Sequence, residues 1–161
     1  MPTTELADEA FSPGGAAFAA FCRSMAVDGR VPKRLFVAEA LGPRLLPNIC
    51  IMQWRKPDRL VVRLAGTRVC ASYGEEITGR ELGELYTGEA TDVTRRSHLA
   101  ALLGRGLRAE TVRFDTVVGP VAYERLMQPL ADEAGEPCCL ALWLWLQDGP
   151  ARRTFRSFSI A

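Results

Sequence analysis

The stretch Leu60–Leu85, LVVRLAGTRVCASYGEEITGRELGEL, decides how this chain is read. It opens as a strand, because Arg59–Ala65 alternates: Leu60, Val62 and Leu64 fall on one face, Arg59, Val61, Arg63 and Ala65 on the other. Gly66 lets the backbone turn sharply out of that strand. Thr67 is suited to cap a helix that runs to about Tyr73, and Gly74 stands where a helix-ending glycine would. Thr78-Gly79-Arg80-Glu81 then has capping-box spacing, with Thr78 as N-cap and Glu81 reaching back. Turns and caps explain each of these residues, and the stretch holds no catalytic constellation.

Upstream, Asn48–Arg55 is a second strand, joined to the first through Lys56-Pro57-Asp58 as an antiparallel hairpin. Prolines at 32, 43 and 47 punctuate Val31–Pro47, a connection over the core with at most a turn of helix around Phe36–Leu41. Before it, Ser12-Pro13 is a helix start, with serine as N-cap and proline at the first helical position. Phe18, Phe21, Cys22 and Met25 follow at i, i+3, i+4 and i+7, so this helix is amphipathic and ends near Asp28-Gly29. Residues 1–11 are polar and acidic and read as a flexible terminus.

Downstream, Thr91-Asp92 starts the longest mid-chain helix, which ends around Gly104–Gly106. Val93, Leu99, Ala100 and Leu103 cluster on one face, which puts His98 nearly opposite, toward solvent. Three strands follow: Thr111–Val118, a Gly119-Pro120 turn, Val121–Leu130, a polar loop Ala131–Gly135, and Cys138–Leu146. In the last strand Leu140, Leu142, Leu144 and Leu146 line one face, and Ala141, Trp143 and Trp145 the other. A strand apolar on both faces is central and covered twice. The mid-chain helices cover one face, and the Phe18–Met25 helix, with or without a partner sharing the contact, covers the tryptophan face. The order of elements gives one α+β domain over residues 12–147 and a tail over 148–161.

Composition narrows the function. The 161 residues carry a net charge of +1, so no global field points to nucleic acid or to an anionic membrane. The longest apolar run is far too short to span a bilayer. Five cysteines form no CxxC pair and there is one histidine, so zinc spacing is lacking and the thiols read as free in a reducing cytoplasm. Arg152, Arg153 and Arg156 beside Phe155 and Phe158 read as a free tail rather than a nucleic-acid site.

The layout of two strands, a helical middle with one longer helix, then three antiparallel strands resembles a PAS domain. More narrowly, it resembles a bacterial family of small stand-alone PAS proteins. The matching residues are Leu45-Leu46-Pro47 into Asn48–Met52, Arg63-Leu64-Ala65-Gly66-Thr67, Tyr73-Gly74 and Ile77-Thr78-Gly79-Arg80. Gln128-Pro129-Leu130-Ala131-Asp132 with Gly135 follows later, and the likeness runs over about residues 20–147. It implies a five-stranded antiparallel sheet with helices on one face closing a small pocket, a sensory or signalling role often exercised as a dimer, and no intrinsic catalysis. It implies no particular ligand, because function lives in sites and not in folds.

Specific cofactors are weighed on residues. A haem-binding PAS domain carries an axial histidine on the long helix; His98 lies there, and its outward phase disfavours haem. A flavin photosensor of the family carries an Asn-Cys-Arg-Phe motif, and Arg68-Val69-Cys70-Ala71 departs from it, which disfavours flavin. Candidate pocket residues are Leu64, Thr67, Tyr73, Leu99 and Leu103, with Thr67 and Tyr73 as polar handles, set against a fully packed core. Candidate interface residues are Phe18, Phe21, Met25, Trp143 and Trp145, facing a second copy or a partner signalling protein. The competing reading is a small-molecule-binding enzyme or carrier with an α+β cavity.

Overall fold

The computed structural model describes residues 11–86, 88–116 and 119–147, without the side chains of 114–116, 119–121 and 147. The expectations for the N-terminus up to residue 10, for Val117 and Val118, and for the Arg/Phe tail therefore lie outside the described residues. Six strands form one sheet: β1 (Val31–Pro32), β2 (Ile49–Arg55), β3 (Arg59–Ala65), β4 (Arg108–Thr116), β5 (Gly119–Ala131) and β6 (Pro137–Gln147). The order is β1-β5-β6-β2-β3, with β4 also on β5. Every pairing is antiparallel except β1 with β5, a two-residue parallel contact that the prolines hid from the sequence.

The helices are α1 (Pro13–Met25), α2 (Ala38–Leu45), α3 (Thr67–Tyr73), α4 (Leu82–Leu85) and α5 (Glu89–Leu103). As expected, Ser12 caps α1, accepting from the Gly15 amide, and Pro13 opens it. Gly74 closes α3 in the left-handed conformation at φ 74°. Two local expectations are corrected. The N-cap of α3 is Gly66, not Thr67, and a Cβ at residue 66 would stand 2.3 Å from the Pro47 carbonyl oxygen. Close approach of two backbones, not a special φ, demands that glycine. The capping box is Glu81 with Glu84, one turn later than Thr78–Glu81, because residues 79–81 are drawn to the edge of β3. There the Gly79 amide donates to the Val62 carbonyl and the Val62 amide to that of Arg80.

The two faces of the sheet build two cores. On one, which we call outer, β6 presents Cys139, Ala141 and Trp143, β5 presents Leu126 and Leu130, and β2 presents Ile49. Helices α1 and α2 cover them with Phe18, Cys22, Leu41 and Leu45. Phe18 stacks on Trp143 at 6.3 Å and meets Phe36 edge-on at 6.1 Å. On the inner face, Leu140 and Leu142 of β6, Cys50 and Met52 of β2, and Leu60 and Val62 of β3 meet α3, α4 and α5. The alternation expected for β6 holds, with leucines inward and tryptophans outward.

Two phases differ from expectation. In β3, Met52 pairs Val62 but Ile51 pairs Leu64, so Arg63 is an extra, bulged residue. The bulge inverts the alternation beyond it. Ala65 turns inward and Leu64 outward, where it is exposed. In α5 the buried side chains are Thr94, His98, Ala101 and Leu102, while Val93 and Leu103 are exposed. The stripe expected there is rotated, because the helix lays polar as well as apolar residues against the sheet and hydropathy alone misplaces its phase. Among the described residues, no helix is long and apolar enough to cross a membrane.

Candidate functional site

The inner face carries a polar cluster in a place where packing alone would call for leucine. β4 and β5 set Glu110 directly opposite Arg125. The Arg125 Nε–H donates to Glu110 Oε1 at 2.5 Å, and a second guanidinium nitrogen contacts the same oxygen. Arg125 is 4% exposed, so its charge is tolerable only because Glu110 balances it. From α5, the Ser97 hydroxyl donates to the same carboxylate, at 3.1 Å from Oε2 and 3.2 Å from Oε1.

One residue further along α5, His98 is buried. Its Nδ1 lies 2.9 Å from the Thr94 carbonyl oxygen, one turn back. A carbonyl only accepts, so Nδ1 carries the proton. Burial first, and then the nearby Arg125 charge, push the imidazole down to about 3, against a backbone bond that favours the charged ring. The ring is therefore neutral, with its lone pair on Nε2.

Tyr73 at the end of α3 and Tyr86 just after α4 complete the cluster, their hydroxyls 2.9 Å apart. Burial raises both phenols well above their usual range, with Tyr86 adding to the effect on Tyr73. Arg125 pulls the other way on Tyr86, and Tyr123 of β5 interacts with both phenols. Phenols, a balanced guanidinium–carboxylate pair, a serine and a neutral imidazole thus share the space between α3, α5 and the sheet. Their summed charge is zero.

Of the candidate pocket residues, Tyr73 and Leu99 pack inward, half-buried. Leu64, Thr67 and Leu103 are corrected, since all three are exposed. The bulge at Arg63 turns Leu64 outward, the first turn of α3 leaves Thr67 at the surface, and the true phase of α5 puts Leu103 outside. His98 is likewise corrected from an outward to an inward residue, which removes the reason for setting haem aside. Of the candidate interface residues, Phe18 and Trp143 are buried against each other, while Phe21, Met25 and Trp145 are half-buried at the α1 contact. Glu110, Arg125, Ser97, Tyr86 and Tyr123 escaped sequence reading. The signal was the charged dipeptide Glu124-Arg125 inside a strand covered on both faces, since a buried charge implies a partner.

Cys70 sits on α3 with Sγ 3.4 Å from Glu76 Oε1. Among the described residues, no group of three or more Cys, His, Asp or Glu gathers to hold a metal.

The sequence matches the family model described as PAS domain over residues 11–142. No curated protein matches it. Solved structures similar to the fold include a point variant of RsLOV at 17% identity and TM-score 0.53, over 71% of this chain and 68% of that one. The Rhodobacter sphaeroides LOV protein aligns at 13% identity and TM-score 0.49, over 64% and 60% of the two chains. A light-oxygen-voltage domain studied with a flavin analogue aligns at 14% identity and TM-score 0.51, over 71% and 87%. At such identities the likeness is one of fold. It assigns no flavin to this chain and counts against none, so the missing Asn-Cys-Arg-Phe motif stands as a difference in sequence and not as an exclusion.

Proposed function

Because the chain belongs to the PAS domain family, we propose that it works as a sensory and signalling module. It takes a small molecule at the inner polar cluster and passes the signal to a partner protein or a second copy at the outer face, without catalysis. The observation that carries this reading is the inward-facing Tyr73–Tyr86 and Arg125–Glu110–Ser97 set, in which Arg125 is buried and the other four are half-buried. An inner face that only had to hold helices against a sheet would be cheaper to build from apolar side chains. The chemistry also limits the ligand. With Arg125 already neutralised by Glu110 and the phenols and imidazole uncharged, the cluster favours an uncharged, hydrogen-bonding molecule over an anion.

Extraction of freshly purified protein with organic solvent, followed by mass spectrometry of what is released, tests the reading. A single small molecule in near-stoichiometric amount is the expected result. Protein that releases nothing, yet holds its fold, would overturn it.

His98 favours a second reading. A buried neutral imidazole whose Nδ1–H is tied to a carbonyl is in the form in which histidine ligates a metal. Haem would be held through His98 Nε2 and would bring gas or redox sensing to the same cluster. An absorption spectrum of the purified protein with an intense band near ~400 nm, lost in His98→Ala, would support haem over the uncharged ligand.

A further inference from the structure

The start of β6 carries two cysteines in succession, Cys138 and Cys139. In a regular strand their side chains would point to opposite faces of the sheet. Here they do not. Leu130 of β5 pairs Cys139 and Ala131 pairs Pro137, which leaves Cys138 as one extra residue on β6. A bulge bends its strand and re-aims the side chain of the extra residue. Both cysteines accordingly pack on the outer core, Cys139 within it and Cys138 at its margin. Regular alternation resumes directly after them, with Leu140 inward and Ala141 outward.

The two thiols sit side by side at different depths. Cys139 is fully buried, whereas Cys138 is half-buried, its Sγ–H donating to the Leu130 carbonyl at 3.6 Å. Burial first, and then the charge and hydrogen bond of Cys139, push the Cys138 thiol up to about 11. That hydrogen bond sets the two sulfurs against each other. The charge effect is the property of a pair, since a second thiolate beside a first is costly. Lys33 stands close enough to favour the Cys138 thiolate, and Asp132 close enough to oppose it.

We propose that Cys138 and Cys139 form a redox-active dithiol, which a small-molecule disulfide of the glutathione class oxidises to a disulfide between the two neighbours. Cys138, the more exposed, reacts first. Its thiolate attacks the small disulfide, forms a mixed disulfide and displaces one thiol. Cys139 then gives up its proton and attacks Cys138 Sγ, which closes the Cys138–Cys139 bond and displaces the second thiol. The protein pair is oxidised by two electrons, the small disulfide is reduced to two thiols, and the two cysteine protons end on them. Successive Cα atoms lie about 3.8 Å apart, less than the span of about 4.4–6.8 Å usual for a disulfide. The ring is therefore strained and reopens in excess thiol, as labile rather than structural disulfides do. The site is a reversible modification site on the face opposite the Tyr73–Arg125 cluster, and it works without a ligand there.

Tryptic digestion reports on this pair alone, because the peptide Leu126–Arg152 contains Cys138, Cys139 and no other cysteine. The full chain is equilibrated with oxidised and reduced glutathione at graded ratios, alkylated in denaturant and digested. As the ratio rises, the peptide should pass from two alkyl groups to none, with the loss of two hydrogens, and should recover both groups in excess reduced glutathione. Cys139→Ser should instead hold a glutathione at Cys138 that does not resolve. Two alkyl groups at every ratio would overturn the proposal. So would a mixed disulfide that persists in the parent chain, or a bridge from either residue to another cysteine. The readout involves neither a bound small molecule nor a partner, so it can fail while the sensory reading stands.

Discussion

The two faces of the sheet solve the same packing problem with different chemistry. The outer face is apolar and aromatic, with Trp143 between Phe18 on one side and Trp145 on the other, the two indoles parallel at 6.1 Å. Its one buried charged side chain among the described residues, Glu124, accepts from the Ser12 amide and hydroxyl at the start of α1. The inner face gives up apolar area to seat a guanidinium, a carboxylate, an imidazole and three phenols. An outer face made this way holds a helix closely. An inner face made this way offers hydrogen-bonding groups where packing alone would call for apolar ones. Under the function proposed above, docking belongs to one side of β5 and recognition to the other.

The largest expected effect is on the outer side. Trp143→Ala removes a fully buried indole, both aromatic stacks and one donor to Glu124, and should cost about 4 kcal/mol of unfolding free energy in urea titration. A loss below about 1 kcal/mol would mean that the outer face is not the packed core described. Next comes the inner pair. Arg125→Met leaves Glu110 without its counter-charge and should cost about 3 kcal/mol, whereas Arg125→Met with Glu110→Leu should recover most of the loss. That recovery, measured in a double-mutant cycle, sharpens the comparison, because it shows a cluster kept for something other than stability. Additive losses would instead make the pair structural.

The effect that is smallest near neutral pH, and grows only on acidification, is the titration of His98. The ordinary value of a histidine is 6.5, and in the fold His98 is pushed down to about 3 by burial. The unfolded chain therefore takes the proton first. Stability from burying the neutral ring is full above about pH 6.5 and falls as the pH drops toward 3, by at most about 1.4 kcal/mol per pH unit. Urea midpoints of His98→Gln should fall less steeply than those of the parent over this window. Parallel curves would show that His98 is not held neutral in the core.

Much of the fold was legible because the strands alternate cleanly. Leu140, Leu142 and Leu144 against Trp143 and Trp145 required two covers, and Ser12-Pro13 with Phe18 and Cys22 offered one of them. The site was less legible for two physical reasons. One extra residue at Arg63 inverts the faces of β3, and a bulge has no composition of its own. The phase of α5 follows Thr94 and His98, which a hydropathy stripe discounts, so the helix was read with its polar side outward. Tyr73 was expected to face inward because it lies near the central motif, and it does pack against the inner core. Tyr86 and Arg125 were not, since their meaning depends on which strands and helices meet, and only the assembled sheet brings Glu110 to Arg125.

Native mass spectrometry of three proteins side by side tests the division of labour most directly. The parent chain should carry a small bound mass, Tyr73→Phe with Tyr86→Phe should lose it while remaining folded, and Ser12→Ala, altered only on the outer face, should keep it. A bound mass that survives loss of both inner hydroxyls, or that disappears with Ser12, would contradict the assignment of recognition to the inner face.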